Sequence, residues 1–440
     1  MSSQIAQRIF GSMLAVAAVA GAMPVSGQTV TTPGAAPPVS IVNPYPNTNG
    51  YNPYGGYGGR RRNRNRNANN NANNGTTNNA NNGTNTNRTN RTTRTPPEPP
   101  VKFVPGGDIN PAPAVGDASR VYVGTGRRAV YALNRATGKR LWTFQPKGDV
   151  TASPAVGPDG TVYITSYDHA VYALNGATGA KKWQFVTRDL LSSTPALGAN
   201  GLIYIGGYDH SVYALDTSGL KKWEFKTGSA VASPAVGPDG TVYVGADKVY
   251  ALDGTTGKPK WAFSNNFVGN DAPLLDSRSS TLYVGAHDGT IYSLNARTGA
   301  KNWQFATPGI IESAPALGPG GMLYVGADKL YALDAKTGRA LWTLDQGDDD
   351  WSAPALGPDG TLYVGCSNGT IYAVNPTTGK VSWTFPTQDD LASAPAVGPD
   401  GNVFLASAGA GRVYALNHRS GGVFWQFQTP AQVTPAATTR

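Results

Sequence analysis

One cysteine, Cys366, stands in 440 residues, so no internal disulfide framework is available. It lies far from the N-terminal apolar run, which excludes lipid attachment there. Charged residues make up only 14% of the chain, too few to support long solvated helices. The net charge of +9 comes from the N-terminal part: residues 28–106 hold eight Arg, one Lys and one Glu. Residues 107–440 hold 26 basic and 26 acidic side chains, so no clustered basic surface for nucleic acid is expected. Long apolar runs are also missing after Met23, and with them any later membrane span.

The remaining apolar run, Ile9–Met23, follows Arg8 and has the length of a signal h-region. Cleavage after Gly27 or Ala22 would leave an exported protein, periplasmic, envelope-bound or secreted, and residues 1–27 are assigned to the signal. From 28 to 106 the chain is rich in Asn, Arg, Gly and Pro, with 15 Asn among residues 63–90. So few apolar side chains cannot offset the entropy of ordering, and a disordered tail is predicted. It serves as a flexible tether, or as a cationic strap onto anionic envelope polymers or lipid head groups.

What the sequence has in plenty is Gly (55) and Tyr (21), and above all repetition. "YALDAKTGRALW" (331–342) recurs in close copies ending at Trp142, Trp183, Trp223, Trp261, Trp303, Trp342, Trp383 and Trp425. A marker proline gives the same count, at Pro113, Pro154, Pro195, Pro234, Pro273, Pro315, Pro354 and Pro395. A period near 40 residues built of short strands predicts propeller blades. The fold class is therefore all-β: an eight-bladed β-propeller of four-stranded antiparallel blades over 107–430, with a short C-terminal tail at 431–440. Within each copy Asp or Asn opens a turn, Gly takes the left-handed conformation, and the tryptophan packs on a neighbouring blade.

"ALNRATGKRLW" (132–142), "ALDGTTGKPKW" (251–261) and "ALDAKTGRALW" (332–342) resemble the tryptophan-docking motif of the pyrroloquinoline quinone (PQQ) repeat family. "ALDTSGLKKW" (214–223) is one residue short, and "ALNHRSGGVFW" (415–425) has Ser420 in place of Thr. That family includes quinoprotein dehydrogenases and non-catalytic propellers of the BamB kind. The dehydrogenase resemblance would imply a vicinal disulfide, which one cysteine cannot form, and calcium held by acidic and amide side chains. The blades carry no long acidic insertions, so no cofactor is expected; PQQ with calcium and a dehydrogenase activity form the alternative. Cys366 reads as a small buried residue. His169, His210 and His287 lie in or near equivalent turns and read as turn residues.

The turns between first and second and between third and fourth strands are nearly uniform. The inter-blade loops differ from copy to copy, which suits a specific protein or peptide partner. Three residues before each marker proline stand Asn110, Thr151, Ser192, Val231, Asn270, Glu312, Trp351 and Ala392. Candidate partner-binding residues are Asn270, Asp271, Glu312, Asp349, Asp350 and Trp351. Trp351 is expected either exposed beside its acids or plugging the central channel. The resulting expectation is a binding or scaffolding module, with outer-membrane protein assembly as one case.

Overall fold

The structure, a computed structural model, describes residues 111–117, 119–264, 272–347, 350–387, 393–407 and 411–430. The signal, the N-terminal tail and residues 431–440 lie outside them.

Thirty-two strands form eight sheets of four, each in simple sequential antiparallel order. The first blade runs from Ala114–Val115 through Arg120–Thr125 and Ala129–Asn134 to Arg140–Phe144. The last runs from Ala396–Val397 through Val403–Ser407 and Arg412–Leu416 to Val423–Gln428. The eight-bladed propeller predicted from the repeats is the observed architecture. Innermost strands of neighbouring blades touch, including those of blades 1 and 8, so the ring closes. Each blade keeps two edges, a very short innermost strand at the axis and an outer strand of five or six residues.

The blades are held together by one device repeated eight times. Each tryptophan donates its indole N–H to the first carbonyl of the next blade's third-to-fourth turn. Trp142 reaches Gly176 O at 2.9 Å, Trp303 reaches Ala335 O at 3.0 Å, and Trp342 reaches Pro376 O at 2.9 Å. Trp425 completes the circle on Arg135 O at 2.8 Å, 290 residues away in the chain. A second-strand tyrosine donates to the same carbonyl in blades such as 1, 3 and 5, through Tyr122, Tyr204 and Tyr283.

Local sequence explains why each part is there. The turn opens on Asx: Asp334 Oδ1 accepts the N–H groups of Lys336 and Thr337 at 3.1 and 2.8 Å. Gly338 follows with φ +74, and a Cβ there would lie 2.6 Å from the Trp303 ring. Glycine is thus required twice, for backbone conformation and for close approach. Across the sheet the tryptophan faces a small residue, Ala332 opposite Trp342 and Ser293 opposite Trp303, and a bulge follows beside it. The extra residue of a bulge twists the outer strand and re-aims its side chains.

Aromatic layers fill the space between blades. Tyr122 packs on Trp142 with ring centroids 5.7 Å apart, and the same pairing recurs to Phe404 on Trp425 at 6.0 Å. Two residues past the tryptophan, Phe144 meets Tyr172 of the next blade at 5.2 Å, and Phe427 meets Tyr131 across the closure at 5.4 Å. Cys366 is fully buried in this core.

The indole contact can be separated from backbone strain. Gly360 also has positive φ (+83), but a Cβ there would meet nothing. Gly360→Ala should therefore cost about 1–2 kcal/mol, the price of a left-handed alanine. Gly338→Ala should cost measurably more by chemical denaturation, and the excess should vanish in a Trp303→Ala background. Equal costs for the two glycine variants would refute the socket role.

Candidate functional site

Third-to-fourth turns occupy one face of the propeller, and each is engaged as an indole socket. The opposite face carries the inter-blade loops and the second-to-third-strand turns, and the candidate site lies there. Of the innermost positions, Thr151, Ser192, Val231, Glu312 and Trp351 are described. Asn270, Asp271 and Asp349 among the predicted contacts lie outside the described residues, as do Asn110 and Ala392.

Trp351 is only 4% exposed, so the expectation of a solvent-facing aromatic does not hold. Nor does it stand in the channel: it packs between blades 6 and 7 with Tyr324, Leu330, Cys366 and Tyr372. A backbone bridge joins it to Cys366. The physical reason lies seven residues upstream of it. Two residues past Trp342 the chain carries Leu344, where other blades carry Phe. No Phe from blade 6 covers Tyr372, and the Trp351 ring covers it instead at 5.2 Å. Val150, Leu191, Val231 and Ile311 are the corresponding apolar plugs in other blades. Three of these stand four residues before the marker proline, whereas Val231 and Trp351 stand three before it. That one-residue slip is what sequence alignment on proline alone conceals.

Glu312 is half-buried on the rim, and its carboxyl is held above the usual carboxylate range by burial, with the Asp350 charge adding to it. Asp350 is exposed, and its N–H donates to Ser367 Oγ at 2.9 Å. The two carboxylates thus lie near enough for their charges to interact. Beside Glu312 the loop exposes Ile310 at 53%, an apolar side chain that sequence reasoning passed over. Its neighbour Ile311 is fully buried, so from sequence either isoleucine could have been the plug.

The second-to-third turns add Tyr167 and Tyr208 at equivalent places, both half-buried. Burial raises the Tyr167 hydroxyl above its ordinary value, and nearby Tyr208 adds a smaller effect. His169 and His210 follow with φ of +66° and +60°, as left-handed turn residues. Among the described residues, no group of three His, Cys, Asp or Glu side chains gathers as metal ligands.

Closed four-stranded blades, an indole latch from each to the next, and unlike loops on one rim define a PQQ-like repeat propeller. More particularly, the chain belongs to the family described as outer membrane protein assembly factor BamB, which matches residues 77–208, 208–342 and 326–440. No curated protein matches the sequence. Among solved structures it is similar to the computationally designed Ika8 protein, with TM-score 0.61 and 18% identity over 70% of this chain and 96% of that one. Quinohemoprotein alcohol dehydrogenase from Comamonas testosteroni gives TM-score 0.59 and 15% identity, covering 77% of each chain. A europium-containing methanol dehydrogenase gives 0.58 and 17%, covering 69% of this chain and 83% of its own. At such identities the likeness extends to the fold alone.

Trp351→Ala should remove a core ring and destabilise the protein by about 3–5 kcal/mol in denaturant titration. Adding Leu344→Phe, which restores the ring found in other blades, should recover part of that loss. A Trp351→Ala protein of unchanged stability would return the residue to the surface role first expected.

Proposed function

We propose that this protein is an exported, non-catalytic propeller that binds a protein or peptide partner in the bacterial cell envelope, in the assembly of outer-membrane proteins. The observation that carries the reading is family membership over residues 77–440, under a description that names that process. The geometry supports it independently. One face is committed to holding the ring together, because its turns supply the carbonyls that the indoles bond. The other face is free to differ between blades, and there exposed Ile310 and Asp350 with half-buried Glu312 form an apolar and acidic edge. Asn270, Asp271 and Asp349 belong to the same loops in sequence and extend the proposed contact. The N-terminal tail acts as the tether. Neither PQQ nor calcium has a part in this function.

A photo-crosslinking residue at Ile310 should capture a discrete partner in intact cells, while one at the exposed Thr377 on the opposite face should capture none. Outer-membrane β-barrel proteins should decline when the gene is deleted. Capture from Thr377 alone, or unchanged outer-membrane proteins, would contradict the assignment. Stoichiometric PQQ binding with dye-linked alcohol oxidation would replace it with the quinoprotein reading.

A further inference from the structure

The fourth strands of the eight blades make up the outer perimeter, and each is an open sheet edge among the described residues. An open edge invites pairing with another chain, and charge or proline on the strand opposes it. Seven of the eight edges are guarded in this way. Blades 2 and 3 carry Lys181 with Lys182 and Lys221 with Lys222, while blades 1, 4 and 5 carry Arg140, Lys260 and Lys301. Ala340–Leu344 of blade 6 stands between Arg339 and Asp345. Val381–Pro386 of blade 7 follows Lys380 and ends in proline. Blade 8 is the exception. Residues 420–430 hold no charged side chain, and the outer strand, Val423–Gln428, has no proline.

The unguarded edge is also apolar. Val423 and Phe424 are 47% and 54% exposed. Nothing in the fold requires this. Phe424 is the extra residue of the bulge: Ala415 faces Trp425 and Leu416 faces Val423, which leaves Phe424 without a cross-strand partner. In blades 2, 3 and 4 a lysine takes this place and reaches back over its own blade. Lys182 meets Asp159 at 3.3 Å, Lys222 meets Asp216 at 3.0 Å, and Lys260 meets Thr241 Oγ1 at 2.6 Å. Leu141 and Leu341 hold the place in blades 1 and 6, but on guarded strands. Only blade 8 joins exposed apolar side chains to an edge free of charge.

Neutrality selects the partner. A foreign strand can offer acids to a lysine edge, so charge is no bar to it. A strand that pairs with its own copy has no such choice, because a two-fold axis brings every charge it bears against the same charge. The edge that avoids charge is therefore the edge fitted to a second copy. We propose that residues 423–426 pair antiparallel with the same segment of another molecule across a two-fold axis. Two four-stranded blades then become one continuous sheet, and Val423 and Phe424 of both copies leave water. The contact lies on the perimeter of blade 8, apart from the loops around Ile310 and Glu312 that precede blade 6.

Sedimentation velocity should show the purified protein passing from monomer to dimer as its concentration rises through the micromolar range. Hydrogen exchange at residues 423–426 should slow over the same range, while residues 301–304 on the edge of blade 5 should not change. Val423→Lys with Phe424→Lys reproduces the Lys-Lys-Trp of blades 2 and 3, which those blades already accommodate. The double variant should weaken the dimer by about a hundredfold, through facing lysines and lost apolar burial, at unchanged monomer Tm. Leu341→Lys on blade 6 should leave the dimer as strong as in the parent. A protein that stays monomeric throughout, a dimer that survives the double variant, or one weakened equally by Leu341→Lys would overturn the proposal. Binding of a foreign extended peptide at residues 423–426 without self-association would give the edge to another chain, and would overturn it too.

Discussion

Everything in this molecule depends on the bond from each tryptophan N–H to the first carbonyl of the next blade's turn, with the indole lying on that turn's glycine. A propeller blade alone is a small twisted sheet with two apolar faces, and neither is covered until a neighbour arrives. The indole provides a large buried surface and one directional bond at the same point, so it sets distance and register together. Because blade 8 latches onto Arg135 of blade 1, the latch that closes the ring is the one of greatest sequence separation among the eight.

That constraint divides the two faces. Turns that serve as sockets must open with Asx, place glycine at positive φ and present a carbonyl at a fixed point, which leaves little freedom to recognise anything else. Inter-blade loops answer to one requirement only, an apolar plug between sheets. Val150, Leu191, Val231, Ile311 and Trp351 meet it with different side chains, and the residues around them vary without disturbing the ring. A binding surface built from these loops can diverge while the scaffold stays the same.

Much of this was legible in the sequence. Eight tryptophans at near-equal spacing, each preceded by Asx and Gly, define the blades, their strand order and the uniform face, because those residues do one job in every copy. Trp351 was not legible. Its role follows from Leu344 standing where Phe stands elsewhere, and from a one-residue shift of the plug relative to the marker proline. Both become visible only when Tyr372 is seen beneath the ring. Ile310 and Ile311 are adjacent and chemically alike, yet one is exposed and the other buried. The hydroxyls of Ser153 and Thr194, which have no partner among the described residues, could not be told in sequence from those of Ser193 and Ser393, which are paired to backbone.

The most direct test of closure by indole latch is native-state hydrogen exchange on Trp425→Ala. If the ring is one cooperative unit joined at that point, amides in the third strand of blade 1, Ala129–Asn134, should lose protection together with those of blade 8, Arg412–Leu416. Loss confined to blade 8, with blade 1 as protected as in the parent protein, would contradict the account.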